Sequence, residues 1–284
     1  MVDIDRTPTV RLRRLGRELR RLREQAGKTL DEVASALEWS TAKLSRLENG
    51  HAKRPDIHHI RALCALYQVG DDLVDALVSL ARDARKRGWW VAYKDVLTGC
   101  YVGLEAEATS IHNFEINVIP GLLQTADYIR AIAGAAGITR EQEIERIIEA
   151  RLERQQILTR TDPPPPQVWA VIDEAALLRP FGDRGIHERQ LRKLLDTRSL
   201  EHIKVQILPL SAGLHMGLAG QFVILDFADP SDRSVVYLET ATDGLYLEEP
   251  HELTRYRLMF QYVCASALSV DASIAHLSAM IDKL

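Results

Sequence analysis

A chain of 284 residues, 46% hydrophobic and 27% charged, has room for two domains, each with a core of its own. Cys64, Cys100 and Cys264 lie far apart with no CxxC pair, which argues against a structural zinc and suits a reducing cytoplasm, and no long apolar run or basic-then-apolar leader announces a membrane span or export. The net charge of −4 splits into +5 over residues 1–87 and −9 over the remainder, so only the first part suits a polyanion and the second suits a protein partner or a ligand.

Residues 1–9 show no periodicity and read as a loose arm. From Val10 to Ala26, Leu12, Leu15, Leu19 and Leu22 make a helical stripe that Gly27 ends. Seven arginines between Arg11 and Arg23 read as a solvated face, with one or two of them in reach of phosphates. Thr29 and Glu32 then form a capping box, and Leu30, Val33, Ala34 and Leu37 fall on one face of a short helix. Glu38, Trp39 and Ser40 leave space only for a sharp corner. Ser40 caps a second helix, and Gly50 suits its left-handed exit.

That second helix divides cleanly at about 100° per residue. Leu44 and Leu47 point inward beside Trp39, whereas Ala42, Ser45, Arg46 and Asn49 point out, flanked by Thr41 and Lys43. Small, hydrogen-bonding and cationic side chains on one helix face fit a major groove, and Lys53 and Arg54 follow where phosphates would lie. Pro55 fits the first position of a fourth helix, with Ile57, Ile60, Leu63, Cys64 and Tyr67 inward and Gly70 closing it. Asp71 to Arg87 reads as a fifth helix, apolar at Leu73, Leu77, Leu80 and Ala84.

The stretch TLDEVASALEWSTAKLSRLENGHAKRP resembles the helix-turn-helix of the Cro and phage-repressor, or XRE-like, class, most closely in LENGHAKRP. The resemblance implies an all-α five-helix bundle over residues 1–87 that binds double-stranded DNA at a palindromic operator, with a homodimer as the default. Carried over, Thr41, Ala42, Ser45 and Arg46 contact bases, while Thr29, Lys43, Asn49, Lys53 and Arg54 hold the backbone. Leu30 stands where family members often carry Gln, and Ala42 offers only a methyl group, which leaves most of the sequence reading to Arg46.

Trp89 and Trp90 cannot share one helical face, so one is expected on each domain and the boundary is read there, with 88–284 the second domain. Helices are expected over Leu104–Phe114, Gln124–Ala135 and Thr139 to about Arg160, with an extended piece at Ile116–Ile119. The last of these helices has a capping box from Thr139 to Gln142 and buries Ile144, Ile147, Ile148 and Leu152. Pro163 to Pro166 reads as a stiff connector. Strands follow at Val168–Ile172, Val205–Leu208, Phe222–Phe227 and Val235–Leu238, with a helix over Gly185–Leu200 between the first two. Helices over Pro250–Ala267 and Val270–Leu284 close a mixed α+β domain. The stripe Val270, Ile274, Leu277, Ile281 and Leu284 suits either a core or a dimer seam.

This half carries a resemblance too. GWWVAYKDVL, YVGLEAEA, VIPGLLQTADYIRA, RQQILTR, WAVIDEAALLRP, VQILPLSAGLHMGLAGQF and VVYLE are similar to successive signatures of one actinobacterial domain, found behind XRE-like motifs in WhiJ-like developmental regulators. That implies a transcription factor, antitoxin-like, with a small partner protein encoded nearby; it transfers no site residues.

Catalytic patterns are not matched. His187–Glu188 and His251–Glu252 lack the second histidine of HExxH, Ser211 lacks a GxSxG elbow, and Gly213, Gly217 and Gly220 fit no nucleotide loop. Asp173 reads as a helix cap rather than a catalytic acid beside Glu174, and His215 is the most site-like single residue. The expectation is therefore a DNA-binding regulator without cofactor or metal, whose second domain dimerises and docks a partner, with small-molecule sensing or a DNA-tethered enzyme as alternatives.

Overall fold

The computed structural model describes residues 10–52, 54–85, 89–93, 95–97, 101–229, 232–240 and 244–284. The arm of residues 1–9, Lys53, Lys86, Arg87, Gly88 and Cys100 lie outside that set. The chain divides into two compact units, Met1–Val91 with Thr98–Leu104, and Ala92–Leu97 with Glu105–Leu284.

Among the described residues, the first unit has five α-helices before Trp89: α1 (Val10–Gln25), α2 (Leu30–Ala36), α3 (Thr41–Glu48), α4 (Ile57–Leu66) and α5 (Asp71–Asp83). Leu15, Leu19, Val33, Leu44, Ile60 and Leu63 are buried at its centre, each contributing about 1.5–3 kcal/mol of burial. The capping box of α2 forms in both directions: Glu32 N–H donates to Thr29 Oγ1 and Thr29 N–H to Glu32 Oε2. Glu38 turns the corner at φ 56°, a left-handed conformation that costs a non-glycine residue about 1–2 kcal/mol. Trp39 N–H closes the end of α2 on the Ala34 carbonyl at 2.8 Å.

Several sequence expectations shift by a residue or two. Pro55 does not start α4; Asp56 caps that helix through His58 N–H, and Pro55 precedes the cap. Gly70 does not close α4 either. Gln68 takes the left-handed position at φ 55°, and Gly70 becomes the cap residue of α5. On α5, Leu77, Val78 and Ala81 are buried with Leu73 and Leu80 packed against the same core, and the helix ends at Asp83, leaving Ala84 as its cap rather than part of the stripe. Arg23 is not on the solvated face at all. Its guanidinium clamps the Glu48 carboxylate through Nε at 2.8 Å and Nη2 at 3.0 Å, with Nη1 on the Lys28 carbonyl at 2.7 Å. This buried pair fastens α1 to the end of α3.

The second unit is built on a mixed six-stranded sheet of order β3-β2-β1-β4-β5-β6. Its strands are β1 (Ser110–Glu115), β2 (Gln167–Asp173), β3 (Ile203–Leu208), β4 (Phe222–Asp226), β5 (Val235–Glu239) and β6 (Gly244–Leu247). The first three are parallel and the last three antiparallel. The β1–β2 crossover carries α7 (Ala126–Ala135) and α8 (Glu141–Gln155), and the β2–β3 crossover carries α9 (Glu174–Leu178) and α10 (Arg184–Asp196). Both follow the rule that parallel neighbours need a long connection. One face of the sheet, Phe114, Val171, Phe222, Ile224 and Val236, packs on Met259, Phe260 and Val263 of α11 (Pro250–Ser266).

The expected helix over Leu104–Phe114 is instead α6 (Tyr101–Glu107) followed by β1. Residues 116–118 are bends, not the extended piece. Thr139 does not cap α8: Arg140 holds the cap position without a side-chain hydrogen bond. The helix stops at Gln155, with a 3₁₀ turn over Gln156–Leu158, and Leu152 is 37% exposed rather than buried. The closing helix α12 (Val270–Lys283) packs on β3 and α10. With Leu277 and Ile281 buried there, its stripe serves the core and not a free seam. No single helix among the described residues is long and apolar enough to cross a membrane.

Candidate nucleic-acid interface

The geometry of α3 is set from behind. Gly16 in α1 lies so close to its C-terminal end that a β-carbon there would meet the Glu48 carbonyl oxygen at 2.4 Å and that of Leu47 at 2.7 Å. Leu44 and Leu47 enter the core, and Glu48 is held by Arg23. Gly50 then leaves the helix at φ 75°, with the α1 backbone at Arg13 3.1 Å from where a β-carbon would stand. These contacts fix the rotation of the helix and so decide which residues face out.

Thr41, Ala42 and Arg46 are exposed, and Ser45 is half-buried. Thr41 Oγ1 donates to Asp31 Oδ1 at 3.0 Å, and Ser45 Oγ accepts from Asn49 Nδ2 at 3.2 Å. Among the described residues no carboxylate pairs with Arg46, which leaves its fork available. Asn49, three residues on, and Arg54 are exposed too. Thr29 sits at the amino end of α2, its hydroxyl oxygen engaged in the capping box.

Lys43 behaves differently from its neighbours. Its ammonium lies 4.0 Å from the Trp39 ring centre and donates to His59 Nε2 at 3.0 Å. Burial lowers the His59 pKa, and the Lys43 charge lowers it further, so the imidazole stays neutral and accepts. Lys43 is thus drawn back along the helix rather than extended.

A helix-turn-helix domain model matches residues 14–77, which spans α1 into α5. A second model, described as a domain of unknown function (DUF5753), matches residues 99–279, more than half of the chain. The chain belongs to the DUF5753 family. No curated protein and no solved structure matches it. Its first unit is a helix-turn-helix domain of the kind that makes a DNA-binding regulator, and the DUF5753 region holds the mixed sheet with its helices.

Within the DUF5753 unit the structure gathers the residues that looked chemical in sequence. Asp173 caps α9, accepting from Ala175 N–H at 2.9 Å. His215 Nδ1 accepts from Gly217 N–H at 3.2 Å, and its Nε2 lies 3.9 Å from Asp173 Oδ2. Glu174 accepts from His276 Nε2 at 2.8 Å and from Leu210 N–H at 2.8 Å. His276, far along the chain, gave no sequence signal of this neighbourhood. Each of these groups is engaged in holding the loop after β3 and the helix α12 to the carboxyl end of β2.

A second polar cluster went unseen in sequence because its members are separated by long stretches of chain. Glu115 at the end of β1 has Oε2 buried without a hydrogen-bond partner. Burial, reinforced by the Glu239 charge, pushes its pKa up to about 8. Nearby, Arg154 pairs with the buried Glu105 through Nη2 at 2.8 Å, and Arg151 donates to Gln124 Oε1 at 2.8 Å.

Proposed function

We propose that this DUF5753 protein is a sequence-specific transcriptional regulator, repressor-like, that binds a palindromic double-stranded operator as a homodimer. The observation that carries the reading is the outward face of α3, where Thr41, Ala42 and Arg46 are exposed while Leu44 is fully buried behind them. Arg46 takes the guanine-reading role, Ser45 and Thr41 the lesser polar contacts, and Asn49, Arg54, Lys53 and Thr29 hold phosphates. Lys43 joins the phosphate contacts only by leaving Trp39 and His59.

The DUF5753 unit is the regulatory half in this reading, non-catalytic, dimerising and open to a small partner protein in an antitoxin-like, WhiJ-like arrangement. Supporting a protein contact, the loop after β3 exposes Leu210, Leu214, Met216 and Leu218, with Leu214 92% exposed. Clustered exposed apolar side chains of this kind mark interaction sites. The engagement of Asp173, Glu174, His215 and His276 with one another or with backbone supports a structural rather than catalytic duty.

The test is a comparison of residues 1–87 with the full chain on a DNA site selected from random duplexes. Two half-sites about 34–36 Å apart should be protected by the full chain, and the fragment should bind them more weakly. A monomeric fragment that matches the full chain in affinity removes the dimerising role from the DUF5753 unit.

A further inference from the structure

Between the end of α8, the 3₁₀ turn after it, the last turns of α10 and the 3₁₀ turn Thr197–Ser199 lies a cleft of about 520 Å³. That volume falls in the range of small-molecule sites, about 300–1,000 Å³. Its apolar wall is Leu122, Leu123, Leu158, Leu200 and Ile203, with Leu152 left 37% exposed on α8. A leucine on the core-facing stripe of α8 that remains uncovered is an apolar surface without an internal partner.

One cation lines this cleft in an unusual state. Lys193 is half-buried, and its Nζ donates to the Gln124 carbonyl at 2.7 Å and to Gln155 Oε1 at 2.7 Å. Both partners are neutral oxygens, and among the described residues no carboxylate lies within ion-pair distance of it. Asp196, exposed on the same helix, also lines the cleft but does not pair with it. Burial lowers the Lys193 pKa, as expected for an ammonium stripped of water without a counter-charge. Its position is fixed because Gln155 is itself anchored, donating to the Gly121 carbonyl at 3.0 Å and the Gln124 carbonyl at 2.9 Å. Two of its three N–H bonds are used, leaving one donor.

We propose that this cleft binds an amphipathic carboxylic acid, its carboxylate on Lys193 and its hydrocarbon tail along the leucines. An anion supplies the charge that the two neutral oxygens do not, and charge-assisted hydrogen bonds are roughly twice as strong as neutral ones. The apolar walls gain from any tail that covers them, and of the polar lining residues Gln155 and Thr197 already spend their side chains on backbone carbonyls. This site is independent of the DNA-binding reading, since it is read by direct binding to the full chain.

Calorimetric titration of the full chain with octanoate, decanoate and dodecanoate, below their micelle concentrations, tests it. Saturable one-to-one binding should tighten by about fourfold per added methylene until the cleft is full. Decanol should bind the same protein at least about tenfold more weakly than decanoate, for want of the charge-assisted bond. Lys193→Met should erase that difference, bringing decanoate down to decanol. Absence of saturable binding overturns the proposal. So does decanol binding as tightly as decanoate, a comparison that needs no variant to fold, and so does a Lys193→Met protein that still prefers the acid.

Discussion

Replacing Gly16 by alanine sets two effects against each other with opposite signs. Gly16 lies inside α1, where alanine is worth about 0.5–1 kcal/mol over glycine in helix propensity and unfolded-state entropy. Against this, the new β-carbon would stand 2.4 Å from the Glu48 carbonyl oxygen and 2.7 Å from that of Leu47. Both obstacles are backbone, so no rotamer change relieves them and the two helices must separate. Overpacking of that kind costs about 1–3 kcal/mol, and separation also loosens the buried Arg23–Glu48 pair. The clash wins, and Gly16→Ala should destabilise the first unit by about 1–2 kcal/mol net. Hydrogen exchange by mass spectrometry on the full chain reads this locally: amides of α1 and α3 should exchange roughly 5- to 30-fold faster. Gly134, inside α7 with nothing within 4 Å of its virtual β-carbon, is the control. Gly134→Ala should slow exchange in α7. Unchanged or slower exchange in α1 and α3 of Gly16→Ala would refute the close approach on which the orientation of α3 rests.

Glu115 has a folded pKa raised to about 8, so the folded state holds a proton that the unfolded state releases in the ordinary carboxylate range. Its contribution is therefore full below that range and is lost as pH rises to about 8, with a slope of up to about 1.4 kcal/mol per pH unit. Urea unfolding at pH 6 and pH 8.5 should show the second unit weakening in the wild type and much less in Glu115→Gln; equal slopes would show Glu115 to be solvated. Arg54→Ala should weaken binding to all duplexes alike and flatten the salt dependence by about one unit of slope. An unaltered slope would take Arg54 off the phosphates.

Local signals carried the first unit. The Thr29–Glu32 box, Ser40 as a cap, the left-handed Gly50 and the leucines of α1 and α3 all lie within a few residues of what they determine, and all are found as read. Other local signals were displaced by a residue or two, as at Pro55, Gly70 and Thr139, and the larger misses were non-local or unusually polar. Strand β1, Ser-Ile-His-Asn-Phe-Glu, carries four polar residues in an inner position, and its partners Val168 and Leu225 are distant in sequence. Its His112 lies 5.0 Å from the Phe260 ring and 3.6 Å from Asp226, contacts that no window of β1 reveals. Arg23 looked like six other arginines until Glu48, 25 residues away, proved to lie opposite it. The outward residues of α3 were legible from periodicity alone, whereas the retraction of Lys43 needed His59 from α4. The cleft beside Lys193 draws on three separate segments and left no mark in any of them.

On the proposed function the exposed face of α3 reads base sequence, and Arg46 tests that role most directly. The affinity of the full chain and of Arg46→Ala is measured for a selected operator and for an unrelated duplex of equal length, at one salt concentration. A bidentate contact to guanine is worth about 1–3 kcal/mol of discrimination, so the ratio of the two affinities should fall by roughly fivefold to a hundredfold, with little change on the unrelated duplex. Equal loss on both duplexes would make Arg46 a phosphate contact, and an unchanged ratio would place sequence reading elsewhere than on this helix.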